Sequence, residues 1–100
     1  MYTITGKSGS IDRDFEKIIN SITIVQAEEL VNILENFPKG NSTTHKSIKC
    51  VYCDGKKLWQ YDLTWGDRVI YKVIDKGKIV LIYYIGDHKG AETFRRRGSV

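Results

Sequence analysis

Proline occurs once in this chain of 100 residues, histidine twice and cysteine twice. With one proline and no biased block, no stretch reads as disordered. Two cysteines are too few for a disulfide-built scaffold, and both are read as reduced thiols of a cytoplasmic protein. No apolar run reaches the roughly 18 residues of a membrane span, so no membrane partner is expected. The opening residues, MYTITGKSGSIDRD, lack a basic segment followed by an apolar one, so no secretory signal is expected. What is present is an ordinary globular balance, with 41% hydrophobic and 28% charged residues. That supports one domain over residues 1–100, built on a single core.

The net charge of +4 is unevenly spread. Residues 1–44 carry four basic and six acidic side chains; residues 45–100 carry twelve and six. A basic second half suits a polyanion partner, and a solvated lysine-rich surface accounts for it equally well. The two cysteines, Cys50 and Cys53, have C-x-x-C spacing. A structural zinc needs four ligands, and one cysteine pair with the distant His45 and His88 is a poor set, so no metal is expected. A redox C-x-x-C opens a helix, whereas IKCVYC reads as a strand.

Along the chain, the β-branched and aromatic YTIT (residues 2–5) suits a short strand. Ile11, Phe15, Ile18, Ile19 and Ile22 then form one apolar helical stripe, with Ser10 as candidate cap and Asp12 and Asp14 at the positive end of the dipole. A second helix starts at the Thr23-x-x-Gln26 capping box and carries Ala27, Leu30, Val31, Leu34 and Phe37 on its stripe. Pro38 stops it. So short a connection implies an antiparallel helical hairpin.

After the polar loop 38–47 the period changes from 3.6 to 2. Ile48–Cys53, Leu58–Trp65, Arg68–Ile74 and Ile79–Ile85 read as strands, separated by Asp54-Gly55, Gly66-Asp67 and Asp75-Lys76-Gly77. Trp59, Tyr61, Leu63 and Trp65 share one face; Arg68 and Lys72 share a face opposite Val69, Tyr71 and Val73. Ile79–Ile85 is apolar on both faces and reads as an interior strand. Gly86–Gly90 reads as a loop, and AETFRRRGSV closes the chain. The implied fold is α+β, an N-terminal strand and helical hairpin packed on a mainly antiparallel sheet.

This order, with the block from Leu58 to Phe94, resembles the RelE/ParE superfamily of toxin–antitoxin toxins. Arg68-Val-Ile-Tyr-Lys-Val-Ile-Asp75 looks like that family's R-[LVI]-[IV]-Y-x-[VI] strand, and Gly86, His88 and Phe94 follow at fitting distances. The resemblance implies a cognate antitoxin partner and one of two activities. RelE-like members cut mRNA on the ribosome without metal or cofactor, by attack of a 2′-hydroxyl on the adjacent phosphate. ParE-like members inhibit DNA gyrase and are not nucleases. The RelE-like branch is favoured, with a degenerate basic binding module as a third reading.

On that resemblance Arg68 and His88 are the catalytic candidates, a guanidinium to clamp the charged phosphorane and an imidazole to move protons near neutral pH. Phe94 stands where many relatives have Tyr; it lacks the hydroxyl and is left to stack on a base. Certain relatives carry two basic residues on the preceding strand, where the register puts Trp59 and Tyr61. Candidate substrate-binding cations are Lys46, Lys49, Lys56, Lys57, Lys89, Arg95 and Arg96, and His45 lies on the same loop as Lys46. Trp59 and Trp65 are the antitoxin-binding candidates.

Overall fold

A serine begins the first helix, two residues earlier than the apolar stripe suggests. In the computed structural model, which describes residues 1–40 and 47–97, helix α1 spans Gly9–Ser21 and Ser8, not Ser10, caps it. The Ser8 hydroxyl accepts from the Ile11 amide at 3.4 Å, and Ser10 instead receives a bond from Arg13. Helix α2 (Ile24–Asn36) opens on the full capping box, with Thr23 and Gln26 each bonding the other's backbone amide. Only Ile22 and Thr23 separate the two helices.

The sheet has five strands: β1 (Thr3–Gly6), β2 (Ile48–Cys53), β3 (Lys56–Asp62), β4 (Arg68–Ile74) and β5 (Ile79–Gly86). Their spatial order is β1-β5-β4-β3-β2. β2 to β5 form an antiparallel meander, and β1 joins β5 in parallel. The β2–β3 turn is Asp54-Gly55, with φ of 53° and 74°. Two left-handed residues make the two-residue turn whose twist matches that of the paired strands.

Two apolar layers hold the sheet. On one face α1 and α2 bring Phe15, Ile18, Leu30, Ile33 and Leu34 against Tyr61, Val69, Tyr71, Val80 and Ile82. The fully buried Tyr71 hydroxyl reaches the Pro38 carbonyl at 2.6 Å and ties the end of α2 to the sheet. The second layer, on the opposite face, joins Val51, Cys53, Leu58 and Ile70 to Ala91 and Phe94.

That second layer is built by an element that the sequence pattern conceals. His88–Arg97 is a helix, α3, where a loop and a charged tail were expected. Asp87 caps it: its carboxylate accepts from the Gly90 amide at 2.7 Å. The pattern of β5 has a local cause too. Ile70 pairs with Tyr84 but Tyr71 with Ile82, so Tyr83 is an extra residue in a bulge. The slip sends Tyr83 and Tyr84 to the α3 side while Val80, Ile82 and Ile85 stay on the other. No helix among the described residues is long and apolar enough to cross a membrane.

Candidate functional site

The candidate site lies where β4 begins, β5 ends and α3 starts. Arg68 is the first residue of β4 and pairs with Asp62 on β3 and Gly86 on β5. Gly86 is two residues from His88, so the His88 Cα lies within about 7 Å of Gly86 and about 12 Å of Arg68. The topology therefore brings together Arg68 and His88, which are twenty positions apart in the chain.

Arg68 is held rather than free. Its Nε lies 3.1 Å from Asp62 Oδ1, and its Nη1 donates to the carbonyls of Gly66 at 2.9 Å and Asp67 at 3.2 Å. Asp62 also accepts from Gln60 at 2.7 Å and lies 4.0 Å from Lys49. The Arg68 side chain is 19% exposed. Only Nη2 has no partner among the described residues, and its two N–H groups are what the site offers to an anion.

His88 is the first residue of α3 and is exposed. Its Nε2 lies 3.0 Å from Glu92 Oε1, one helical turn on. In the neutral ring that contact places the proton on Nε2 and leaves Nδ1 as the acceptor. Glu92 was not singled out in the sequence; its i,i+4 spacing from His88 acquires meaning only once residues 88–97 are a helix.

Tyr84 and Phe94 floor the same end, their rings stacked at 6.0 Å. The Tyr84 hydroxyl donates to the Asp87 carbonyl at 3.0 Å. Burial first, and then the nearby Asp87 carboxylate, push its pKa up to about 12. It is a neutral donor at physiological pH, and the sequence reading missed it beside the hydroxyl-free Phe94.

The other candidates scatter. Lys89 follows His88 on α3 and is exposed. Arg95 and Arg96, with Glu92, line a cavity of about 640 Å³ whose other wall is the Cys50–Tyr52 segment of β2. Arg95 Nε is buried there without a hydrogen bond. Lys49 shares Arg68's face through Asp62. Lys56 and Lys57 begin β3, six and five residues from Asp62, so about 17–20 Å from Arg68's partner. The structure does not bring them to Arg68. Lys46 and His45 lie outside the described residues. Cys50 is exposed, whereas Cys53 is buried under α3. Three positions apart on a strand, they point to opposite faces. Among the described residues no cluster of His, Cys, Asp or Glu suits a metal ion.

No family profile and no curated protein sequence matches the chain. Solved structures do match. A toxin from Helicobacter pylori superposes with a TM-score of 0.67 at 15% identity, over 90% of this chain and 98% of that one. The RelE–RelB complex of Pyrococcus horikoshii gives 0.56 at 21% identity, over 86% and 93%. A toxin–antitoxin complex from Mycobacterium tuberculosis gives 0.52 at 15%, over 87% and 98%.

The chain has the RelE-like toxin fold.

Within this RelE-like fold one assignment from the sequence is corrected. Trp59 and Tyr61 belong to the layer under α1 and α2. The β3 residues on Arg68's face are Lys56, Leu58, Gln60 and Asp62, one position out of step with the register read from sequence. A side chain at 59 or 61 points away from the Arg68 face, whatever its charge. Trp65 also lies on the hairpin side, half-buried, its indole N–H donating to Asp67 at 2.9 Å.

Proposed function

We propose that this chain is the toxin of a toxin–antitoxin pair and acts in the cytoplasm as a ribosome-dependent mRNA endonuclease. The observation that carries the proposal is the meeting, at one end of a RelE-like sheet, of Arg68 with a free Nη2 edge and His88 aligned by Glu92. In the proposed step His88 Nδ1 takes the proton of a 2′-hydroxyl. The 2′-oxygen bonds to the adjacent phosphorus, and the bond from phosphorus to the 5′-oxygen breaks. A 2′,3′-cyclic phosphate and a 5′-hydroxyl result, the leaving oxygen taking a proton from water or from the imidazolium. Arg68 Nη2 donates to the charged phosphorane, where a preorganised donor does most for the rate. Lys89, Arg95 and Arg96 add affinity without sequence choice, and Phe94 stacks on a base. No metal or cofactor enters this chemistry.

A second reading has one specific observation in its favour. Asp62 and two carbonyls already occupy most of Arg68, and the lysine on its face of β3, Lys56, stands at the far end of the strand. That arrangement suits a non-enzymatic, ParE-like inhibitor of DNA gyrase. Pulse labelling after induction separates the two: loss of methionine incorporation first supports the nuclease, and loss of thymidine incorporation first supports gyrase.

A cognate antitoxin is part of either reading. Trp65 and Trp59 are its proposed contacts, both half-buried on the hairpin side. Trp65→Ala is expected to weaken the antitoxin complex in a calorimetric titration. Unchanged affinity with intact folding would exclude that contact.

A further inference from the structure

Helix α3 packs on Val51, Cys53, Leu58 and Ile70. On the β1 side of the same sheet face Thr3, Thr5, Lys7 and Lys72 are exposed. Strand pairing fixes which side chains share that open half. Thr5 lies opposite Leu81, and Leu81 opposite Lys72. The next residues along, Ile4, Val80 and Val73, pack under the helical hairpin. Alternation therefore turns Thr5, Leu81 and Lys72 to the α3 side, the face that Arg68 also occupies four residues along β4. Lys7 follows Thr5 by two positions and turns the same way. Its amide donates to the Ile82 carbonyl at 2.8 Å, and its ammonium lies 4.8 Å from the centroid of the Tyr83 ring. Tyr83 is the extra residue of the β5 bulge and packs at the edge of the α3 layer. It stands between Lys7 on β1 and Lys72 on β4. Lys72 has no carboxylate partner among the described residues, and β1, β4 and β5 contain no acidic residue.

We infer that Tyr83, flanked by Lys7 and Lys72, is a base-stacking subsite on the path of an RNA strand to Arg68: the phenol ring carries one base, and the two lysines hold the backbone phosphates beside it. The inference rests on the reading of the Arg68 end as an RNA site and names a further subsite on the same face. An ammonium over an exposed ring is held weakly, and a charge-assisted hydrogen bond to phosphate is the stronger contact. A phosphate therefore draws Lys7 off the ring and uncovers a surface on which any base stacks. The surroundings argue against a peptide. Lys72 stands amid Ile70 and Leu81 rather than at the rim, so an apolar helix laid here would bury its charge without a partner. At the β1 edge the Tyr2 and Gly6 amides already donate to the Glu35 carbonyl and the Asp12 carboxylate, which leaves no continuous ladder for an extended segment.

The test titrates the full chain into a fluorescein-labelled 2′-O-methyl hexauridine, which cannot be cleaved, and into an abasic strand of the same length. The expected result is a saturable rise in anisotropy with the uridine strand. Tyr83→Leu should weaken that binding about tenfold and leave the abasic strand unaffected, while Tyr83→Phe should bind as the parent chain does. Lys7→Gln and Lys72→Gln should each lower the salt slope by roughly 0.7, with circular dichroism unchanged. Absence of saturable binding, a Tyr83→Leu loss equal for both strands, binding indifferent to both lysines, or equally tight competition by a hexaglutamate peptide would each overturn the inference. Arg68 and His88 are untouched throughout. A chain that binds in this way and cuts no message loses the nuclease reading alone, and one that cuts on the ribosome without dependence on Tyr83 loses this subsite alone.

Discussion

Arg68 shows how one side chain serves folding and function together. Its contacts to Asp62, Gly66 and Asp67 fix the β3–β4 turn and aim one edge of the guanidinium outward. Asp62→Asn keeps the shape but removes the charge, and is expected to lower stability by about 1–2 kcal/mol in a urea melt. At the far end of β4, Asp75 gives a pH signature. Hydrogen bonds from Lys39 and Tyr2 lower its pKa in the folded chain. Its contribution is therefore present above the ordinary carboxylate pKa of the unfolded chain, and is lost as pH falls through the lower, folded value. Urea midpoints followed into acid should fall less steeply for Asp75→Asn than for the parent chain. Arg68 and His88 were legible in the sequence because a family pattern contains them. Asp62 and Glu92 were not, because a partner one strand or one helical turn away is defined only by register or by the helix itself.

The elements divide by how strongly their patterns speak. The stripes of α1 and α2 and the alternation of β4 are repeated several times over, and the structure has them where they were read; β3 runs over Lys56–Asp62 rather than Leu58–Trp65, because Leu63 and Gly66 bond within the turn that leads to β4. Helix α3 was hidden because its apolar side is only Ala91 and Phe94, set among arginines. The bulge in β5 was hidden because a strand apolar on both faces gives no alternation for a slip to disturb. Two contacts carry testable weight here. Tyr71→Phe leaves the buried Pro38 carbonyl without its donor and should cost about 1–3 kcal/mol, read by chemical denaturation. Gly90→Ala would ordinarily strengthen a helix by roughly 1 kcal/mol. In α3 the added methyl meets the Tyr84 hydroxyl. It is therefore expected to destabilise, and Tyr84→Phe should recover part of the loss in a thermal melt.

On the scale of the whole molecule, charge follows the layers. The hairpin side takes the acidic first half of the chain, and the sheet face under α3 gathers Lys49, Arg68, Lys89, Arg95 and Arg96. A molecule divided in this way turns one side towards a polyanion, and its affinity should fall with added salt. The polarity was visible in the sequence as a difference between halves; which residues meet at one point was not, because strand order decides that. The central claim is that the Arg68–His88 end cuts mRNA on the ribosome. Primer extension on mRNA from a reconstituted translation system tests it most directly, comparing the parent chain with Arg68→Ala and His88→Ala. The account predicts cuts that require ribosomes, with a loss of about 10²–10⁴-fold in His88→Ala and a marked loss in Arg68→Ala. An uncut message with translation proceeding normally, or cuts that persist in both variants, would contradict it.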